Sequence, residues 1–557
     1  MSERKRITFL LVLSVLVYAN TLWNGFTMDD DVYILHNHAI NALSIREVFQ
    51  PTWHGVFRPV TFLTFLLNWA LAKGQAFGFH LLNVLLHAAV VVLLYLVLKK
   101  LLESVQHGAT IAWAAALLFA VHPIHTEAVA SIVGRAEILA MGFLLGAWWL
   151  YLEDRPYWGL LFFVLALLSK ESTIVFVPLL FVSDYARGSL KPLSRYAYLA
   201  SAGALYLAVL WQLQGHRFGP PGINFLDNPL ALFPASLRIP NALRIAWKYV
   251  GLQFYPATLS CDYSYNAIPL YGKFARNALP VVSFLLVLGI WIWAFLAGKK
   301  QWFLAGAIYL IGFSVTSNLL MALGTIMAER LAYLPSAGFS LLIASIWILL
   351  EQRSRQLAWA VLTVALLLLA GRTVARNRDW HDNFSLFSAD VRAVPKSAKM
   401  HAGLGEQYME RGQLDAARSE LETAVRIFPD YPQAIGVLAI VASQQGHDQE
   451  ALHLFEKELD LTPKADHDYD LVRVGLAAQL VKVNQDDRAL AILNEVVRTS
   501  PANPRAWANR AVILYQRGEM QAARSDAEMA LRLDPNNPQA QSMLAQLNAV
   551  GPLVHQQ

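Results

Sequence analysis

The sequence predicts an all-α protein in two parts: a polytopic transmembrane helical bundle of about eleven spans, followed by an α-solenoid. Three observations carry this prediction. Hydrophobic residues make up 56% of the 557 positions and charged residues only 15%, with a mean hydropathy of +0.39. Nearly all the apolar runs lie before about residue 375, and the rest of the chain is polar and alanine-rich. From about residue 398 a helix-pair pattern repeats with a period near 34 residues. Two solvents are therefore implied, lipid for the first part and water for the second. The expected boundaries are a membrane domain over 1–378, a linker over 379–397, repeats over 398–540 and a tail over 541–557.

Composition excludes several classes. The formal charge of +5 sits in short clusters between apolar runs rather than along one face, so no nucleic-acid partner is implied. The single cysteine, Cys261, excludes an intrachain disulfide, a cysteine-based zinc site and a CxxC redox motif.

The membrane half reads in order. Arg4, Lys5 and Arg6 precede the first apolar run, 7–23. No small-residue cleavage site follows it, so it is expected to stay as a span. Further runs cover 79–98, 111–121, 138–152, 158–168, 173–182, 196–213, 279–297, 302–320, 331–350 and 357–370. Lys and Arg should concentrate in alternate, cytoplasmic loops. Arg4 to Arg6, Lys99 and Lys100, Arg187, Lys191 and Arg195, Lys299 and Lys300, and Arg353 and Arg355 all fall on one side. Arg372, Arg376 and Arg378 run against the pattern. The expectation is a cytoplasmic amino terminus with the repeats on the opposite, outer side, which is the periplasmic side if the membrane is a bacterial inner membrane. The segments 57–72 and 237–256 are apolar but broken by Arg58, Pro59, Arg238, Pro240, Arg244 and Lys248, as in helices lying at the interface.

In the second half Pro429, Pro463, Pro501 and Pro535 are spaced 34, 38 and 34. Gly412, Gly446 and Gly518 keep step, and Asn484 stands in the third unit. This is the period of tetratricopeptide repeats, in which glycine turns the chain between two helices and proline closes the second. Stacked pairs make a groove that suits an extended peptide or another protein, or serve only as a spacer.

Polar residues cluster in the loops placed on the outer face. They comprise Asp29-Asp30-Asp31, Arg58, His80, His122, His125 and Glu127, Arg135 in Gly134-Arg135-Ala136-Glu137, Lys170-Glu171, and Glu329-Arg330. A charged group within a membrane span costs about 2.5–3.5 kcal/mol on insertion scales, so this convergence predicts a polar cavity. Its cations suit a phosphate, Arg better than Lys for a two-pronged grip. Histidine spacing matches no standard metal site, and hydrogen bonds that tie loops to helix ends explain these residues equally. Arg58 and Arg330 read either as headgroup anchors or as substrate contacts.

The ordered motifs MDDDVYILHNHAI, FRPVTFLTFLLNWAL, FGFHLLNVLLHA, FAVHPIHTEAVASIVGRAEILA, LLSKES and MAERLAYLPSAGF, followed by the repeats, resemble the transmembrane and tetratricopeptide repeat-containing O-mannosyltransferase-like family and its bacterial relatives. The resemblance covers essentially the whole chain. It implies the GT-C glycosyltransferase fold, a polyprenyl-phosphate-linked sugar as donor, and an aspartate of the first outer loop as base. The matching positions are Asp29 and Asp30, with Asp31 extending the pair. On that reading Asp29 takes the proton of an acceptor Ser or Thr hydroxyl and Asp30 bonds acceptor or sugar. Arg58, Lys170 and Arg330 face the donor phosphate. His80, His122, His125, Glu127, Arg135 and Glu329 shape the pocket, and the repeats hold the acceptor protein. No metal ligand is assigned, although a divalent cation is compatible with the acidic triplet. Two other readings stay open: a non-catalytic scaffold whose repeats recruit partners, and a GT-C enzyme acting on a lipid or glycan.

Overall fold

A computed structural model of the chain describes residues 1–52, 55–216, 223–272, 278–464, 466 and 468–549. All regular structure among them is helical. The chain divides into two compact units, Met1–Ser397 and Ala398–Gln557.

Each of the eleven apolar runs of the first unit falls on a helix. Seven helices are long and apolar enough to cross a membrane: Glu3–Trp23, Ala76–Leu101, Arg135–Leu152, Leu193–Leu213, Ala278–Leu296, Pro335–Arg353 and Arg355–Asp379. An eighth candidate is the bent pair Gly108–Val121 and Pro123–Ala130. Pro156–Ser169, Phe176–Arg187 and Lys300–Ser314 have only 14, 12 and 15 residues. At about 1.5 Å per residue they fall short of a hydrocarbon core about 30 Å thick, so of the about eleven expected spans, several of them short, seven or eight have full spanning length. The physical reason lies in where the short helices stop. Gly108–Val121 gives way to buried His122 and His125, Pro156–Ser169 to buried Lys170, and Lys300–Ser314 to a loop leading to buried Glu329. Irregular backbone of this kind is tolerated when protein rather than lipid surrounds it.

Ala76–Leu101 and Gly108–Val121 form the centre of this unit. Both pack on Glu3–Tyr18, while Ala76–Leu101 also meets Arg135–Leu152 and Gly108–Val121 meets Pro335–Arg353. Ala112, Ala114, Ala115 and Ala116 are fully buried and let these helices approach closely. Pro59–Ala72 starts on proline, whose missing N–H is an orphan in any first turn. Ala235–Phe254 buries one face, including Leu243, Ile245, Tyr249 and Leu252, and is not among the helices long and apolar enough to span. Within 379–397, expected as a linker, Asn383–Ala393 is a helix of the first unit.

The second unit is a run of antiparallel helix pairs. Ala398–Glu410 pairs with Leu414–Ile427, Pro432–Gln444 with Asp448–Leu461, Tyr469–Lys482 with Asp486–Thr499, and Pro504–Gln516 with Met520–Leu533. Pro538–Ala549 packs on the last pair, so the expected tail from 541 is helical to Ala549, and 550–557 lie outside the described residues. Gly412, Gly446 and Gly518 turn the chain at φ +70°, +83° and +79°, and Asn484 does so at +58°. Left-handed backbone is what glycine tolerates freely and asparagine tolerates better than most, which explains the one exception in the glycine register. Ion pairs at a spacing near the repeat link successive pairs: Arg418 with Glu450 and Arg488 with Glu456 join second helices, and Arg517, at the end of Pro504–Gln516, reaches Asp487. We expect Gly446→Ala to lower the stability of the repeats by about 1–2 kcal/mol, and Asn484→Gly to leave it unchanged or raise it. Thermal unfolding followed by circular dichroism checks both.

Candidate functional site

The loop after the first helix is held by one side chain. Asp30 is fully buried, and its carboxylate accepts from the backbone N–H of Thr27 at 3.0 Å and of Val133 at 2.9 Å. The first bond closes the turn that carries Met28 at φ +51°. The second ties that turn to the start of Arg135–Leu152. Between them, Asp29 is left half-exposed. Gly134 makes this junction possible, because a Cβ there would lie 2.4 Å from the Ala128 carbonyl oxygen and 2.7 Å from that of Glu127.

The neighbour of Asp29 is Arg330, whose Nη2 stands 3.7 Å from the Asp29 carboxylate. Arg330 is itself anchored by Glu127, a carboxylate with no exposed surface. Glu127 accepts from Arg330 Nη1 at 2.5 Å and from the Arg330 backbone N–H at 2.8 Å. Two further cations approach the same ground. Arg58 grips Glu171 with Nε at 3.1 Å and Nη2 at 2.7 Å, a two-pronged pair. Lys170 is buried and paired with Glu137. The groups share one electrostatic neighbourhood: Tyr33 feels Asp29, Arg58, Arg330 and Glu171, and Arg330 feels Glu127, Asp29 and Glu137.

Burial opposes charge here, and pairing decides each case. Among the described residues Asp30 makes no ion pair, and burial raises its carboxyl to about 7 although backbone N–H donors pull the other way. Burial would also raise Glu171, but Arg58 and Lys170 overcome it and hold the carboxyl down at about 2. Burial lowers the Lys170 ammonium despite Glu137. Arg330 is held more firmly protonated than usual by Glu127 and Asp29, which outweigh its burial.

The expected site residues therefore separate. Asp29, Arg58, Lys170, Arg330 and Glu127 come together as one polar cluster. Asp30 is adjacent but enclosed, so its carboxylate serves the backbone and is not presented to an acceptor, contrary to the role of sugar or acceptor contact. Asp31 turns away to His36 at 3.2 Å. Arg135 does not shape an open pocket. It is buried with Nε on Asn83 Oδ1, Nη1 on the Thr64 carbonyl oxygen and Nη2 on the Phe79 carbonyl oxygen, and its guanidinium lies 4.8 Å from the Phe65 ring centroid. His80 donates from Nε2 to the Gly25 carbonyl at 3.2 Å, behind the loop. His122 accepts from the Ile124 N–H at Nδ1 and donates to the Gln253 carbonyl from Nε2, so both ring nitrogens are used. His125 meets Ser336 Oγ at 2.7 Å, and that hydroxyl donates to the Tyr333 carbonyl, so His125 Nε2 is the donor. These histidines tie loops to helices. Among the described residues no group of three or more His, Cys, Asp and Glu side chains could hold a metal ion.

Glu329 belongs to a second buried network beside the first. Its Oε1 accepts from the Ser260 N–H at 2.7 Å and the Tyr263 hydroxyl at 2.6 Å, and burial raises its carboxyl to about 8. Asp390 accepts from Arg376 Nη1 at 2.7 Å and from the Cys261 N–H at 2.6 Å. The helix carrying Asp390 also supports the aspartate loop, where the Met28 N–H donates to Asn383 Oδ1 at 2.9 Å. Sequence reasoning noted Arg376 only as an exception to the charge pattern and missed Asp390, whose stretch lacks a strong apolar run. Glu137 and Glu171 stood in the quoted motifs, and their adjacency to named cations was the signal.

Two tetratricopeptide repeat family models match the second unit, over residues 402–466 and 476–548. Protein O-mannosyl-transferase F38B6.6 of Caenorhabditis elegans is 31% identical, with 77% of this chain and 64% of that protein aligned. Protein O-mannosyl-transferase TMTC3 of Homo sapiens is 27% identical over 96% of this chain and 64% of that protein. The chain is a homologue of the protein O-mannosyl-transferases. It spans slightly less than two thirds of the length of these relatives, and its similarity to TMTC3 takes in both units. Among solved structures, MamA from Desulfovibrio magneticus RS-1 aligns with 28% of this chain and 84% of its own, at 24% identity and a TM-score of 0.24.

Asp30→Ala leaves the Thr27 and Val133 N–H groups without acceptors, at about 1–3 kcal/mol each. A second expectation concerns pH. An unfolded aspartate titrates near 4 and Asp30 near 7, so across that window the unfolded chain has already released a proton that the folded chain keeps. Stability should therefore fall as pH rises from about 4 to about 7, and Asp30→Asn should flatten this component. Thermal unfolding at stepped pH measures both.

Proposed function

We propose that the chain is a membrane glycosyltransferase of GT-C type that moves a sugar from a polyprenyl-phosphate-linked donor to Ser or Thr hydroxyls of exported proteins, with the repeats holding the acceptor. The pairing of Asp29 with Arg330 carries this reading. It sets an accessible carboxylate that is not tied up by backbone N–H donors 3.7 Å from a firmly protonated guanidinium.

A hydroxyl is a poor nucleophile until a base takes its proton, and Asp29 is free of the backbone bonds that occupy Asp30. The sugar C1–O bond to phosphate breaks as the hydroxyl oxygen attacks C1. The phosphate departs with negative charge that a nearby cation stabilises. Arg330 meets that requirement because Glu127 fixes one side of its guanidinium and leaves Nη2 toward Asp29. Arg58 and Lys170 are already paired with Glu171 and Glu137, so they supply field and position and would contact the phosphate only by giving up part of those pairs. One base and no enzymic nucleophile make the reaction a single inverting displacement, by analogy with other glycosyl transfers. The relatives' names support a protein acceptor, and the alternation of Lys and Arg clusters between apolar runs supports a site on the non-cytoplasmic face, the periplasmic side if the membrane is a bacterial inner membrane.

The test compares wild type with Asp29→Asn expressed at equal level in the membrane, reading Ser and Thr peptides of exported proteins by mass spectrometry. Loss of a defined sugar mass supports the proposal. In a membrane assay the rate should fall by about 10²–10⁴-fold, the usual contribution of a positioned base, with no change in thermal stability. Arg330→Gln should also abolish transfer and, unlike Asp29→Asn, should destabilise the fold, since Glu127 is left buried without its cation. Unchanged sugar occupancy in Asp29→Asn sinks the assignment.

A further inference from the structure

The repeats contain one acid where their own pattern calls for a small apolar residue. Counting from the prolines, the positions equivalent to Glu458 are Ala424, Val496 and Ala530, at spacings of 34, 38 and 34. All three are fully buried, in the second helices of their pairs, and pack as core. Glu458 is 9% exposed. Among the described residues its side chain has no hydrogen-bond partner and no cation. The charged group that acts on it is Asp468, which is of like sign, and burial with Asp468 raises its carboxyl to about 7.

The first helix of the same pair has made room for it. A Cβ on Gly436 would lie 2.1 Å from Glu458 Oε1 and 2.6 Å from Oε2. The equivalents of Gly436 are Ala402, Val474 and Ala508, each with a Cβ. Gly436 shares a helical stripe with Gln433, Ile440 and Ser443, three before and four and seven after. Gln433 and Ile440 are exposed. The carboxylate thus lies over the one glycine in a stripe that otherwise faces outward. The next first helix, Tyr469–Lys482, is bound to this one by Ser443 Oγ on Gln479 Oε1 and Lys482 Nζ on Ser443 Oγ, both at 2.7 Å. Its exposed Leu471, at 46%, stands at the position equivalent to Gln433, and Ile440 is 38% exposed.

We infer that Glu458, seated over Gly436 in the stripe that carries Gln433, Ile440 and Ser443, is the recognition carboxylate of a groove that takes an extended polypeptide segment carrying a lysine or arginine. Charge complementarity selects the occupant. A carboxylate with no cation among the described residues and a like-charged neighbour gains most from a cation, and exposed apolar side chains such as Ile440 suit the aliphatic stems of Lys and Arg. Uncompensated, the acid weakens the core of its own repeat, since an alanine or valine fills the same place in the other three. The inference concerns what the repeats hold and does not rest on the transfer reaction proposed above.

The test uses the full chain in detergent and two fluorescent nine-residue peptides, identical but for a central lysine or norleucine between leucines. Wild type should bind the lysine peptide about tenfold more tightly, the worth of one charge-assisted bond. Glu458→Gln and Glu458→Ala should both erase that preference, and Glu458→Ala should raise the unfolding temperature of the repeats. Equal binding of the two peptides by wild type overturns the inference. So does a lysine preference that survives in either variant, or a Glu458→Ala protein less stable than wild type.

Discussion

The contact between Arg330 and Glu127, a carboxylate with no exposed surface, is the one on which the candidate site depends. Glu127 sits in the short helix Thr126–Ala130, just past the point where the apolar helix Gly108–Val121 breaks at His122 and Pro123. Enclosing it there is tolerable because Arg330 satisfies it twice, by side chain and by backbone. The same pairing fixes where the guanidinium ends, and its far side meets Asp29. The exposed acid and its cation are thus positioned by a buried acid that does no chemistry.

A second theme is the division of labour within the aspartate triplet. Three consecutive identical residues have identical intrinsic chemistry, so their difference is entirely environmental. Asp30 is spent on two backbone N–H groups and loses its readiness to ionise, Asp31 pairs outward with His36, and Asp29 keeps an open face. The buried network of Arg376, Asp390, Cys261, Tyr263 and Glu329 plays a comparable part around the same loop. It holds irregular backbone in place with hydrogen bonds that lipid could not provide.

Within the repeats the logic runs the other way. Regularity makes exceptions visible: Asn484 is an exception the backbone explains, because the turn needs a left-handed residue. Glu458 is one that packing alone does not explain, since its siblings show that an alanine or valine fills the position.

The sequence by itself determined the helical class, the order of the apolar segments and the repeat register. Each is a local property, written in hydrophobic runs or in the spacing of Gly and Pro. It also named most of the polar cluster, because charges between apolar runs are conspicuous. Only the tertiary structure decided which of those charges face one another. Arg58 meets Glu171 across 113 positions and Arg330 meets Glu127 across 203, and no periodicity encodes such pairings. It also decided that Arg135, His80 and His122 serve the backbone, because burial and the direction of a ring nitrogen or guanidinium follow from packing. The same holds for the shortened helices: hydropathy marks where a chain prefers lipid, but the breaks at His122, Lys170 and the loop before Glu329 are stable only because neighbouring helices enclose them.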